Sequence, residues 1–436
     1  MTLTRMIGML AGLFGIRLGG AVLNFLSQII FARLFAPEDV GIIFLAMSTA
    51  AFLGLVGTVG YPWLAQTQLP RFETLGLHKI QRAFHAAFLR DGFIVFVAIC
   101  TLAFAVSYIW PQPIAVQLAL LFGCIATPAS MLMRYDSAVA NSQRKFALSY
   151  VPDFLVRPVI LLGYVLAMEF AGIHLSVVHA IIAFVVCLHI TNILQAYVLG
   201  RDGAVPSDLK FSNAKLTRAL RPRAMSLAIV AAVATSFADI VTLVAGMLLP
   251  STELASVAVA VRLAAIAGFV IQITQQFILP DLSAALTKRE HGEAMHLLLR
   301  LNFMTIATIA AALIGAALFG HWALAIFGSS YVSAWSLLVA LMIGQSIRAF
   351  SGMNQQLLSI AGYQAQTAGA CIVALIFLVV GSILGVRLFG AQGIGYAVIG
   401  AELVWSIMLA AQAQNLTGRR GDIFWVLKHS SKAQSL

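Results

Sequence analysis

Four arginines, Arg17, Arg157, Arg262 and Arg348, each interrupt a run of apolar residues, as in VAVAVRLAAIAGFVIQI over 257–273. A guanidinium stays protonated at every cellular pH, so each one needs a carboxylate, water or an anionic ligand beside it. Its planar fork of donors matches carboxylate and phosphate oxygens in pairs, which makes anion binding the chemistry on offer. Asp153 and Arg157 are separated by four and share a helical face, so an internal ion pair is favoured over a ligand role. Asp239 lies about twelve residues before the 250–252 turn and Arg262 about ten after it, a similar depth at about 1.5 Å per residue, and a structural pair is again favoured. Arg17 and Arg348 have no carboxylate within a turn. Arg17 shares one helical face with Asn24 and Gln28, with Gly20 leaving space beside it, and Arg348 falls on a second stripe with Gln345, Ser351 or Gly352, and Gln355. A cavity-lining role is expected for both stripes, although Glu402 could neutralise one of the two arginines.

The elements that hold these residues follow from composition. The chain of 436 residues is 61% hydrophobic and 10% charged, with a mean hydropathy of +0.95, whereas a soluble domain carries about a quarter charged residues. Runs such as FIVFVAICTLAFAVSYIW (93–110) must satisfy every backbone polar group internally, which calls for spanning helices of about 20 residues. The expectation is an all-α membrane protein with about twelve spans, near 7–32, 40–67, 92–110, 114–138, 149–170, 175–199, 224–249, 254–279, 301–321, 331–360, 366–388 and 393–414. Arg17 interrupts the first apolar run, which continues to Ile30, so the N-terminus reads as a retained helix instead of a signal peptide.

Basic residues set the expected orientation. With both termini inside, the inner segments hold most of the 27 Lys and Arg, including Arg71, Lys79, Arg82, Arg90, Arg134, Arg144, Lys145 and the group from Arg201 to Arg223, while the outer turns hold Arg33 and Arg387. That asymmetry is the positive-inside pattern. The net charge of +11 is therefore topogenic, and no nucleic-acid partner is expected.

The chain also repeats itself. QLPRFETLGLHKIQRAFHAAFLR (68–90) aligns without a gap on ILPDLSAALTKREHGEAMHLLLR (278–300), and FAPEDVG (35–41) echoes LPSTELA (249–255). Six spans per copy give parallel repeats: two pseudo-symmetric six-helix lobes, 1–200 and 223–415, joined by a basic linker, 201–222, and followed by a basic tail, 416–436. Phe72, Ile80, Phe84 and Phe88 recur at multiples of four, which predicts an amphipathic helix over 70–90 lying in the membrane interface. Two such lobes suit alternating access with a cavity between them.

Other chemistry is thin. Cys100, Cys124, Cys187 and Cys371 are scattered singly, without metal spacing or a pairing pattern. His179 and His189 read as groups bonded within the bundle in preference to proton shuttles. No catalytic constellation, metal site or cofactor is expected, because no extramembrane segment is large enough to use one.

IIFARLFAPEDVGIIFLAMS, LLPSTELASVAVAVRLAAIAGFVIQITQQFILPDLS and LLVALMIGQSIRAFSGMNQQLLSIAGYQ resemble the polysaccharide transport family of the multidrug/oligosaccharidyl-lipid/polysaccharide exporter superfamily, which contains the O-antigen repeat-unit flippases. The resemblance spans most of the chain, with Asp239, Arg262, Pro280 and Gly352 at recurrent family positions. It implies a non-enzymatic, two-lobe flippase of the bacterial inner membrane, with both termini cytoplasmic. Its substrate would be an undecaprenyl-diphosphate-linked glycan, and its partners membrane lipid, a polysaccharide polymerase and a chain-length regulator. Arg17 and Arg348, with Arg157 as a further candidate, would then ring a cavity for the diphosphate. Two rival readings remain. An ion-coupled exporter of small cations would use Asp153, Asp239 and Glu402. A membrane polymerase or ligase would need a large outer loop, and the outer turns here are short.

Overall fold

The computed structural model describes residues 3–109, 113–200, 214–288 and 290–433, all in helices and their turns. In chain order these are α1 (Leu3–Leu34), α2 (Pro37–Gly57), α3 (Tyr61–Thr74), α4 (His78–Ile109), α5 (Ile114–Ser142) and α6 (Phe146–Val151), which runs through a π turn, Pro152–Val156, into α7 (Arg157–Phe170). There follow α8 (Val177–Val198), α9 (Ala214–Leu248), α10 (Ser251–Lys288), α11 (His291–Ala325), a 3₁₀ turn Ser329–Ala334, α12 (Trp335–Phe350), α13 (Asn354–Ile360), α14 (Gln364–Phe389), α15 (Gln392–Thr417) and α16 (Ile423–Ala433). Eleven stretches are long and apolar enough to cross a membrane, and α1 carries a shorter apolar helix, Leu18–Leu34. The all-α membrane architecture expected from composition is the architecture observed. The chain packs as two compact units, Met1–Leu243 and Val244–Leu436.

In the first unit, α2 and α5 come close because small residues face one another: Gly54 lies against Ser130, and Gly123 against Thr49. Lipid tails are as apolar as leucine, so close backbone approach is what holds such helices together. The second expected span, 40–67, is broken. α2 stops at Gly57 and α3 starts at Tyr61, with Gly60 between them at φ 79°. A β-carbon at Gly60 would collide with the Ala224 carbonyl oxygen, so glycine is required both for the left-handed turn and for the approach of α9.

The interfacial helix expected over 70–90 is not formed. α3 turns at 75–77 directly into the long α4, and Phe84 and Phe88 are fully buried in a core with Tyr61, Leu64, Leu69 and Tyr135. Phe88 stacks on Tyr135 with ring centroids 3.8 Å apart, and Tyr61 meets Phe84 edge to face at 5.3 Å. The spacing of four faces protein instead of lipid, and hydrophobic periodicity does not distinguish the two.

Above this core sits a buried carboxylate that the sequence did not single out. The Asp91 side chain is 2% exposed and accepts from Tyr61 Oη at 2.9 Å, from Arg221 Nη2 at 2.6 Å and Nε at 3.2 Å, and from Arg90 Nη2 at 2.9 Å. The start of α9 is thereby tied to the start of α3 and the middle of α4. Asp91→Asn keeps the shape and removes the charge from these bonds, each worth about 1.5–3 kcal/mol when one partner is ionised. A clear fall in the thermal midpoint of the purified protein is expected, larger than that of Tyr61→Phe; equal midpoints for Asp91→Asn and wild type would count against the tie.

The second unit has a comparable joint. The tenth expected span, 331–360, is also broken, with α12 ending at Phe350, α13 starting at Asn354 and Gly352 at φ 61°. A β-carbon at Gly352 would collide with the Gly421 carbonyl oxygen. Gly421 is held there by Asn302, whose Nδ2 donates to its carbonyl at 2.9 Å, and by Asn354 Oδ1, which accepts from its N–H at 2.7 Å. Asp422 Oδ1 then accepts from the Trp425 N–H at 3.1 Å and caps α16, part of the segment expected only as a basic tail. Val426 of α16 packs against Leu282, Leu298 and Met353.

Candidate functional site

The first unit contains a cavity of about 230 Å³. α5 presents Arg134, Ser137 and Asn141 to it, spaced three and four apart on one helical face. The α2–α3 corner supplies Trp63 and Gln66, and α6 with the π turn supplies Tyr150, Asp153 and Phe154.

The π turn has an identifiable cause. Pro152 has no N–H to give to the Leu148 carbonyl, so that acceptor is left over inside the helix. Gln195 of α8 takes it up, its Nε2 donating to Leu148 O at 3.1 Å and to Ser137 Oγ at 2.9 Å. Ser149 Oγ donates to Ser137 O at 2.8 Å, which fixes α6 on α5. The Arg157 N–H reaches five residues back to Pro152 O. Such one-turn widenings occur often at functional sites, and here the widened turn carries Asp153 and Phe154 on the cavity wall.

α1 lies against this turn, with Gly20 in contact with Phe154. One turn further on, Asn24 Oδ1 accepts from Arg157 Nη2 at 3.4 Å, and Arg157 Nη2 stands 3.2 Å from Asp153 Oδ1. Three of the residues singled out from sequence, Asn24, Asp153 and Arg157, thus form one cluster. The side chains of Arg157 and Asp153 are 25% and 39% exposed, so the pair stands where solvent or a solute can reach it and adds little to stability. Gln28 follows Asn24 on α1, half-buried. The Arg17 side chain lies outside the described residues.

Arg134 carries the cavity's own guanidinium. Its Nη2 donates to the Ala51 carbonyl at 3.3 Å. Counted with the flanking cations in the sequence, it drew no attention as a site residue. Asp136, on the same helix, is fully buried and was also missed; an acidic residue next to Tyr135 in the small, apolar end of α5 was the available signal.

In the second unit the expected stripe Gln345, Arg348, Gln355 is not one helical face, because the break at 351–353 separates Gln355 on α13 from the other two on α12. Gln345 lies against Gly268 of α10. The Arg348 guanidinium sits 5.1 Å from the centre of the Trp405 ring, a cation–π contact. Glu402, one turn before Trp405, is 1% exposed, with neither oxygen hydrogen-bonded among the described residues. Arg262 Nη1 donates to Ala258 O at 3.1 Å; Asp239, half-buried, belongs to the first unit. The two histidines have local partners: His179 pairs with Ser176 at the start of α8, and His189 Nδ1 lies 2.9 Å from Val185 O. Among the described residues no three His, Cys, Asp or Glu side chains converge as a metal site would require.

No protein-family profile matches the sequence, and no curated protein matches it. Solved structures do. An inward-facing multidrug resistance MATE family transporter of the MOP superfamily superposes with a TM-score of 0.73 at 15% identity, covering 95% of this chain and 96% of that one. The lipid II flippase MurJ in an inward closed conformation gives 0.66 at 14% identity, over 98% and 91%. The fold is similar to that of these transporters. An outward-facing MATE family transporter of the MOP superfamily matches this chain with a TM-score of 0.59 at 16% identity, over 99% of this chain and 96% of that one. At these identities the likeness concerns the backbone, and the cavity side chains must speak for the substrate.

Proposed function

We propose that this protein is a flippase of the polysaccharide transport type, moving a lipid-diphosphate-linked oligosaccharide across the bacterial inner membrane by alternating access, with both termini cytoplasmic. The observation that carries the reading is the first-unit cavity, where Arg134 lies in the wall beside Asp153, itself paired with Arg157 at 3.2 Å. Arginine is the side chain suited to gripping phosphate oxygens in pairs, so a guanidinium in the cavity wall favours an anionic headgroup. Arg17 and Arg348 are further candidate contacts. Undecaprenyl diphosphate would be the lipid carrier, with a polymerase and a chain-length regulator acting on the exported unit.

The MATE likeness and the buried Asp136 favour a second reading, export of small organic cations. A glycan polymerase or ligase is disfavoured by the short turns between helices, such as those at 35–36, 171–176 and 390–391. Expression in a bacterial strain lacking its own repeat-unit flippase separates the two transport readings. Restored surface polysaccharide on a gel, with no added tolerance of cationic dyes, is the expected outcome; dye efflux without polysaccharide would overturn the proposal.

A further inference from the structure

We infer that the first-unit cavity seats a single pyranose ring, the one adjoining the diphosphate, and recognises it through Trp63, Tyr150, Gln66 and Asn141. The inference rests on the lipid-diphosphate reading and adds a sugar specificity to it. A sugar ring has an apolar face of C–H groups, which packs on an aromatic surface, and a rim of hydroxyl or acetamido groups that both donate and accept. The cavity offers both kinds of partner. Trp63 and Tyr150 are in its wall, from α3 and α6. Gln66 and Asn141 line it too, and among the described residues neither side-chain amide has a protein partner. Each amide presents two donors and an accepting oxygen in one plane, the set a vicinal pair of sugar substituents needs. Asp153 adds a carboxylate to the wall, with Oδ1 paired to Arg157 at 3.2 Å.

Other occupants fit less well. A diphosphate held at Arg134 leaves the rest of the wall to fill, because against it alone the amide oxygens and Asp153 would lack a donor. An organic cation would meet Arg134 at close range. Volume points the same way, since about 230 Å³ falls below the roughly 300–1,000 Å³ that drug-sized ligands fill. That is room for one ring beside Arg134. The hydrogen bonds joining Ser137, Ser149, Gln195 and Leu148 hold this wall in shape before a ligand arrives.

The test is equilibrium binding by the purified full-length protein in lipid nanodiscs. Two probes are used: a polyprenyl diphosphate without sugar, and the same lipid carrying one N-acetylhexosamine. Wild type is expected to bind the glycosylated probe roughly tenfold more tightly, the order of one stacking contact plus one hydrogen bond. Trp63→Ala and the paired Gln66→Leu, Asn141→Leu change should each remove a large part of that increment and leave affinity for the bare diphosphate unchanged. That unchanged affinity also shows that the variants are folded, and Trp63→Phe should keep most of the preference. Equal affinity of wild type for both probes would overturn the sugar site while leaving the flippase reading standing, as would a Trp63→Ala variant that retains the full preference. Binding of neither probe would overturn both.

Discussion

Gly352→Ala is expected to be among the most damaging single-methyl additions in the second unit. Any L-residue at φ 61° is held in the left-handed region, at a cost of about 1–2 kcal/mol. The added carbon would also displace the Gly421 carbonyl, and with it the bonds from Asn302 and Asn354 that seat the start of α16. Overpacking of this kind costs on the order of 1–3 kcal/mol more. Gly362 is the control: it has φ 88° but nothing within 4 Å of its β-carbon position. Gly362→Ala should therefore show the backbone cost with little else. Thermal denaturation of the two purified variants should place Gly352→Ala well below Gly362→Ala in midpoint, with earlier proteolysis of the C-terminal segment. Equal midpoints would mean that the joint between the α12–α13 break and α16 carries little of the fold's stability.

Arg134→Ala should abolish or nearly abolish transport while the protein still accumulates in the membrane. Its guanidinium spends one bond on the Ala51 carbonyl and lines the cavity, with five N–H donors in all. Hydrogen bonds to a charged group are worth about 1.5–3 kcal/mol, so loss of one contact to a phosphate weakens headgroup retention roughly ten- to hundredfold. Arg134→Lys should recover part of the activity, since it keeps the charge and loses the planar fork. The measurement is surface glycan alongside membrane protein level, in a strain without its own flippase, together with the pool of lipid-linked repeat units. Normal glycan in the alanine variant would remove Arg134 from the substrate's path.

The spans were legible because a bilayer leaves the backbone no alternative: about 20 apolar residues in a row must be a helix. The breaks at Gly60 and Gly352 were not. The chain has 34 glycines, and nothing local marks the two that take a left-handed conformation against the carbonyls of Ala224 and Gly421, residues far away in sequence. The misplaced 70–90 helix has a related cause. Phe84 and Phe88 show the same spacing whether they face lipid or a protein core, and Tyr61 and Tyr135, which claim them, come from other helices.

At the candidate site, Asp153 and Arg157 were visible as a pair because their spacing is local. Asn24 was picked out for its face on α1, yet its meeting with Arg157 needed Gly20 to let the π turn approach. Arg134 was hidden by a rule that works on average, since cations near span ends set topology and few of them also line a cavity. Asp91 escaped notice for a similar reason. It follows Arg90 at a predicted span edge, where a charge is ordinarily solvated, and its burial depends on Arg221, at the far end of the expected linker.

The central claim is that a lipid-diphosphate-linked glycan crosses the membrane through this protein. Purified protein reconstituted into vesicles with a polyprenyl-diphosphate oligosaccharide confined at first to one leaflet tests it directly, with a sugar-binding lectin reporting arrival on the other. Wild type is expected to expose the glycan to the lectin over time, Arg134→Ala vesicles to stay near the protein-free rate, and neither to concentrate an organic cation. Wild-type vesicles that leave the glycan in its starting leaflet while accumulating the cation would contradict the account.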